Sequence, residues 1–502
     1  MTDRLNQVVS ENISAEITRL AQQQATSIAI YDARGDLTYG QLENAIAGAI
    51  AELKQLGLQQ GDLVLAVGEN SLGYSVFLLS AARMGLVAVL ENARRSAPEI
   101  EGIIAHAEPS AQFYFHDNSL DCISHTTYFK AGIQRSTFFG EYGFIKAQHQ
   151  AEHGIKANVF AIIYTTGTTG LPKGVMLTHE NLNFIAKMMH QLRDITPQDR
   201  VLAVLPISHV MGLASVFLGA LHSGASICFL PKFSPEKCLD LIAQLQITVL
   251  QGAPVMFAKL LDHIRKHDLS GFTSLRFLGS GGAPIDKVLK EGVATILGCT
   301  LQNGYGLTEI PSVAWTRFGD HQSDDSVGLA LPGVEIEFRK TDGDLAEVGE
   351  VGELWVRGPN LMFGYFKNPE LNCQVIDRDG WFNTQDLGYL NADGYMYIVG
   401  RTKDLIIRSG FKVYPLEVES VLLSHPSVLH AAVVGRPTAD NEEVWAFIEP
   451  DKQHTLSVEE VTAYLSTQLS PYKRPSKIIL MDSLPLAANG KVLKSQLIST
   501  IA

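Results

Sequence analysis

Much is narrowed by what these 502 residues lack. There are five cysteines, Cys122, Cys228, Cys238, Cys299 and Cys373, with no C-x-x-C pair among them. That excludes a disulfide scaffold, and the five read as small buried hydrophobes. Positive charge is short as well: 40 Lys and Arg stand against 53 Asp and Glu, a net charge of −13 with His neutral, and no basic run appears. Such a surface repels a nucleic-acid backbone, so no nucleic-acid partner is expected, whereas a nucleotide as a small substrate needs only one local pocket. The N-terminal stretch MTDRLNQVVSENISAEITRL has acidic and polar residues where a signal peptide needs an apolar core. The longest apolar run, GYSVFLLSAARMGLVAVL, is broken by Arg83 and by Gly73 and Gly85. It predicts a buried helix followed by a strand, with no transmembrane segment, and a cytoplasmic setting.

What is present is a cadence. SIAIYDARGDLTYGQLENAIAGAIAELKQLG reads as strand, turn and amphipathic helix with Thr38 as N-cap. LVLAVGEN, VFAIIY, ASICFLPKF, ITVLQGAP and LRFLGSGGAP are short apolar runs separated by helical stretches. This predicts an α/β fold with buried, mostly parallel sheets. After about residue 327 the texture becomes strands joined by turn dipeptides such as Asp342-Gly343, Asp379-Gly380 and Asp393-Gly394, an antiparallel and barrel-like β-rich subdomain. Strand–helix alternation returns after GRTKD. The expected division is a large domain over 1–400, a connection at 401–403 and a small α/β domain over 404–502.

The chemistry begins at YTTGTTGLPKG, residues 164–174. Gly167, Gly170 and Gly174 allow close backbone approach. Thr165, Thr166, Thr168 and Thr169 bring hydroxyl donors, and Lys173 brings a mobile positive charge. Bare amides, hydroxyls and an ammonium behind a buried strand are the equipment for holding triphosphate oxygens. The loop is not a Walker A motif, because Leu171 and Pro172 separate Gly170 from Lys173, and it lacks the G-x-G-x-x-G order of a dinucleotide site. The plain alternative is a small-residue surface turn.

From here the chain resembles the adenylate-forming superfamily: acyl-CoA synthetases, peptide-synthetase adenylation domains and beetle luciferases. The resemblance rests on six elements in order, YTTGTTGLPKG, LPISHVMG, GSGGAP, NGYGLTE, TQDLGYLNADGYMYIVGRTKDLIIRSGFKVYPLEVE and PLAANGKVLK, from residue 164 to 494. It implies a mobile C-terminal domain and two half-reactions. A carboxylate attacks the α-phosphorus of ATP and expels pyrophosphate; a thiol then takes the acyl group and releases AMP.

The same resemblance implies roles. Thr165, Thr166, Gly167, Thr168, Thr169, Gly170 and Lys173 would hold ATP phosphates. Glu309 would hold Mg²⁺, a hard cation suited to a carboxylate oxygen, with Thr308 near the α-phosphate. Tyr305 would pack on adenine against Gly281, Gly282 and Ala283. Asp386 would accept the ribose hydroxyls, and Arg401 would assist at the ribose or phosphate side. Lys491, in AANGKVLK, would arrive on the mobile domain and orient carboxylate and phosphate during adenylation. Lys403 occupies the hinge, and His209 lies by the substrate carboxylate and thiol channel without being a general base. Taken singly, each of these reads more plainly as a solvated charge or a core side chain.

For the acid, Val210 stands where amino-acid activators place an aspartate, and an ammonium beside valine would be desolvated without a partner. Met211, Ser215, Gly281 and Gly304 match pocket positions of hydroxycinnamate activators, although Met211 replaces their tyrosine. A fatty or plain aryl acid is expected as the small-molecule partner. GFKVYPLEVE is more similar to free-standing acyl-CoA synthetases than to peptide-synthetase domains, so CoA is the expected acceptor. A phosphopantetheinyl carrier protein is the alternative, and a non-catalytic nucleotide-binding module is the rival of another class.

Overall fold

The computed structural model describes residues 11–147, 154–155, 158–165, 173–285, 287–317, 325–409, 411–438, 441–451, 455–485 and 492–499. Among them, two large sheets dominate the N-terminal part, one of eight strands and one of nine. In the first, Leu63–Gly68 is buried at every residue and pairs in parallel with Val87–Asn92 on one side and Ala111–Phe115 on the other. Strands covered on both faces must be apolar throughout, which is why LVLAVG shows no alternation. Helix Leu72–Met84 is buried from Leu72 to Ala82 and ends at Gly85, whose φ of 74° reverses the chain into Val87–Asn92. The run that is too interrupted for a membrane span is therefore a core helix, and no described helix is long and apolar enough to cross a membrane. Thr38 caps helix Tyr39–Gln55 as expected: its hydroxyl accepts from Gln41 N–H while the Gln41 side chain accepts from Thr38 N–H.

The nine-stranded sheet carries the parallel run Ser226–Phe229, Arg200–Ala203, Val249–Gly252, Phe277–Gly281 and Leu301–Tyr305, continued by antiparallel Ala314–Trp315. Its register sets one face. Gln251 pairs with Gly279, Gly281 with Gly304, and Gly304 with Trp315. Because side chains alternate with period two, Gln251, Gly279, Gly281, Gly304 and Trp315 all point to the same side.

The β-rich segment is a four-stranded antiparallel sheet in the order Glu335–Arg339, Gly352–Arg357, Phe382–Leu390, Met396–Arg401. This corrects the barrel-like expectation: among the described residues the last strand does not pair back with the first but bridges at Met396 to Gly328, so the row stays open. Beyond it, Val428–Pro437, Glu442–Pro450 and Lys477–Leu480 form a separate sheet covered by helices Pro415–Leu423 and Val458–Gln468. Its apolar cluster, including Ile406, Val418, Val433, Val444 and Leu465, is distinct from the large cluster that ends at Met396. The cysteine reading needs one correction. Cys122, Cys228 and Cys238 are buried, whereas Cys373 is exposed, because the seven-residue helix Pro369–Val375 is short and lies on the surface.

Candidate active site

The Gly/Thr loop connects strands Val159–Thr165 and Lys173–Thr178, which pair antiparallel with Thr165 opposite Lys173. Thr166, Gly167, Thr168, Thr169 and Gly170 lie outside the described residues. Lys173 therefore opens a second strand and does not stand at a helix N-terminus. Beside Lys173, strand Gly364–Tyr365 adds to the sheet edge and sets the ammonium 5.4 Å above the Tyr365 ring. Tyr365 Oη donates to Glu309 Oε1 at 2.8 Å, and burial followed by the nearby Glu309 charge pushes the phenol pKa up. One carboxylate oxygen is thereby oriented by a protein hydroxyl. A hard, partly exposed carboxylate of this kind fits Mg²⁺, which commonly bridges one or two acids to phosphate.

Thr308 and Glu309 are carried by the loop after strand Leu301–Tyr305. Val313 N–H returns to Tyr305 C=O at 2.7 Å, and Asn360, fully buried, donates to the carbonyls of Pro311 and Ser312 at 2.8 and 3.0 Å. That amide staples a loop which has no ladder of its own.

Tyr305, Asp386 and Arg401 meet. Asp386 and Arg401 face each other across the antiparallel pair Phe382–Leu390 and Met396–Arg401, and Arg401 Nε donates to Asp386 Oδ1 at 2.8 Å. Tyr305 Oη donates to Asp386 Oδ2. Burial alone would lower the Arg401 pKa, but Asp386, Tyr305, Asp404 and Glu309 together raise it. Glu309 is thus within electrostatic reach of the Asp386–Arg401 pair. Lys403 sits in the short turn Thr402–Asp404, where burial first, then Arg401 and Lys173, lower its pKa.

The pocket candidates also converge. A Cβ at Gly281 would lie 3.0 Å from the Gly304 carbonyl oxygen and 3.7 Å from Met211 Sδ, and one at Gly282 would lie 3.9 Å from Met211 Cε. Met211 opens a π-helix, Met211–Leu218, that crosses this sheet face; Val210 and Ser215 are buried along it. The extra residue per turn shifts which side chains face the sheet. Gly282 and Ala283 lie exposed at the strand end. His209 is open to solvent at the start of this helix, yet surrounding protein lowers its pKa. Its Nδ1 accepts from Met211 N–H at 3.3 Å, so that nitrogen is unavailable as a base. Lys491 lies outside the described residues.

Four residues escaped the sequence reading. Tyr365 reaches Glu309 only through sheet pairing, which leaves no local signal. Trp315 lies flat across Gly304: a Cβ there would fall 1.9 Å from the indole Cε3, and one at Gly279 would fall 3.2 Å from Cζ2. Arg193, 1% exposed, stacks over that indole at 4.3 Å and bonds Gln251. A signal for Arg193 existed, since it continues the apolar stripe Ile185, Met189 of helix His179–Arg193 at spacings of four.

The AMP-binding enzyme model matches residues 17–366, and the model of the AMP-binding enzyme C-terminal domain matches residues 417–491. The chain is similar to a 4-coumarate–CoA ligase-like protein of Arabidopsis thaliana, 31% identical, with 88% of this chain and 82% of that protein covered. It is similar in structure to ATP-bound MatB from Rhodopseudomonas palustris, with a TM-score of 0.84, 32% identity, and 97% and 98% of the two chains covered. It also resembles the o-succinylbenzoate CoA synthetase of Bacillus subtilis in complex with its acyl-adenylate intermediate, with a TM-score of 0.82, 28% identity, and 96% and 97% covered.

Proposed function

This chain belongs to the AMP-binding enzyme family, in which ATP and a carboxylic acid become an acyl-adenylate and pyrophosphate, and we propose that it passes the acyl group on to the thiol of CoA. The carrying observation is the convergence of Lys173, Glu309 and the Tyr305–Asp386–Arg401 cluster at the mouth of the Met211–Gly281–Gly304 slot. Cations at the phosphate side and a doubly anchored carboxylate at the ribose side suit one nucleotide lying across the strand ends. Held there, ATP presents its α-phosphorus to a carboxylate entering past His209. An acid oxygen bonds to that phosphorus, the bond to the bridging oxygen breaks, and pyrophosphate leaves.

Mg²⁺ held at Glu309 would neutralise charge on the departing phosphates. Lys173 adds a mobile cation on the same side. Lys491 is the residue we assign to orienting carboxylate and phosphate. Lys403 is the assigned pivot that exchanges it for the acceptor-binding face, with the domains divided at 401–403. In the second half-reaction the CoA sulfur attacks the acyl carbon and AMP departs as leaving group. Family relatives described as CoA ligases or synthetases support this acceptor.

The test is a carboxylic-acid panel with ATP, Mg²⁺ and CoA, reading AMP, pyrophosphate and thioester together. All three are expected in equal amounts. ADP with phosphate would overturn adenylation, adenylate without thioester would point to a carrier protein, and nucleotide binding without turnover would point to a binding module.

A further inference from the structure

A charge is buried close to the Met211–Gly281–Gly304 face. Arg193 closes helix His179–Arg193 with its whole side chain in the core, and no described carboxylate pairs with it. Asp194, the next residue, is exposed, and the buried Asp199 is held by Arg276 at 2.5 Å. Two rings lie against the guanidinium, whose Cζ is 4.3 Å from the centre of Trp315 and 5.4 Å from that of Phe277. One nitrogen is accounted for by acceptors, Nη1 donating to Gln251 Oε1 at 2.6 Å and to the Ser215 carbonyl at 3.2 Å. The other two nitrogens, Nε and Nη2, are buried with no partner, and so is the amide nitrogen of Gln251.

An unpaired buried charge is among the costliest features a core can contain. Here the unmet groups of Arg193 and Gln251 are all donors. Nε and Nη2 also form the side-on edge of the guanidinium, the fork that receives a carboxylate through two parallel bonds. The contacts of Nη1 set this guanidinium beside the acyl slot. The Ser215 carbonyl that touches Arg193 lies one turn along from Met211, which covers Gly281, and Gln251 and Trp315 share the sheet face of Gly281 and Gly304. The indole occupies the space above Gly304 and Gly279, so the slot ends there. From Gly281 to Gly279 is two residues of strand, about 7 Å. A long acyl chain finds no room along this line, and a plain aryl ring or alkyl tail would leave the fork unanswered.

We propose that the acid activated here is a short dicarboxylic acid, whose second carboxylate sits against the Nε–Nη2 edge of Arg193 beside the Gln251 amide, with Trp315 setting the length. The inference rests on the adenylation reading and narrows its substrate from the fatty or plain aryl acid that the sequence suggests. Arg193 binds the end remote from the reacting carboxylate. It lowers the free energy of the bound acid and rejects analogues that would strand the charge, as polar subsites do when an acceptor is missing.

The experiment compares matched pairs of short straight-chain monocarboxylates and α,ω-dicarboxylates, reading acid-dependent pyrophosphate release by wild type, Arg193→Met and Arg193→Lys. Wild type is expected to favour the dicarboxylate in kcat/KM by about a hundredfold or more. Arg193→Met, which keeps an unbranched chain of similar length, should erase that ratio and raise turnover of the monocarboxylate. Arg193→Lys, which keeps the cation and loses the fork, should fall between them. Equal use of both acids by wild type overturns the proposal while leaving adenylation intact, as does an equal loss for both acids in Arg193→Met. If no acid releases pyrophosphate, adenylation falls, and the thermal shift produced by the dicarboxylate decides the subsite. A shift in wild type that Arg193→Met lacks upholds it, and a shift in neither discards it. Should Arg193→Met fail to fold, the wild-type ratio decides alone. A crystal structure with the dicarboxylate that shows only water along the Nε–Nη2 edge would also overturn it.

Discussion

At Asp386 a single carboxylate answers two donors, Arg401 Nε on one oxygen and Tyr305 Oη on the other. Charged hydrogen bonds of this kind contribute about 1.5–3 kcal/mol each, and removing one partner strands the other. Asp386→Ala should therefore raise KM for ATP by about tenfold or more, with a smaller change in kcat, in steady-state pyrophosphate assays. An unchanged KM would remove Asp386 from the nucleotide site. Glu91 supplies a pH test. It is buried beside the strand that feeds the Gly/Thr loop, and burial, opposed by Arg95, lifts its pKa from 4.5 to about 7. A raised value means that the folded protein keeps a proton the unfolded chain has already lost. Stability from this group is complete below the unfolded value and drains away as pH rises through the window to about 7. Glu91→Gln should show a flatter dependence of the urea midpoint on pH across that window; parallel curves for the two proteins would show that Glu91 ionises normally. Residue types made some of this legible. Asp386 and Arg401 stand out within TQDLGY and GRTKD, but nothing in either string reveals that they face each other.

At the scale of elements, the loop carrying Thr308 and Glu309 depends on Asn360, fifty residues away, for its hydrogen bonds. Asn360→Ala leaves two loop carbonyls without their donor, a cost of about 2 kcal/mol. We expect a lower urea midpoint together with a raised KM for ATP. A stability loss without any KM change would mean that the loop holds its shape unaided. The helices and parallel strands were readable because burial writes a period into the chain: LVLAVG is apolar throughout, and Thr38 with Gln41 spells a capping box. The π-helix Met211–Leu218 and the open four-stranded sheet were not readable. One extra residue per turn leaves little mark on an apolar run, and whether a sheet closes depends on edge strands meeting in space.

For the molecule as a whole, the apolar cluster of the C-terminal part begins at Ile406, and the large N-terminal cluster ends at Met396. In the turn Thr402–Asp404 between them, Thr402 Oγ1 donates to Glu353 at 2.6 Å. A segment between two separate cores can turn without disrupting either. Lys403→Pro, which fixes its own φ, should slow one half-reaction by about tenfold or more relative to the other, with pyrophosphate and thioester followed separately. If both rates are unchanged, the pivot lies elsewhere. The order of motifs along the chain determined the family, the reaction type and the α/β class, because strand burial, turn chemistry and phosphate-binding loops are local properties. Which acid fits is proposed from tertiary structure alone. Arg193, Gln251 and Trp315 come from three separate stretches of sequence, and only sheet register and helix packing bring them together. A charge buried against its desolvation cost has no counterpart in a linear string.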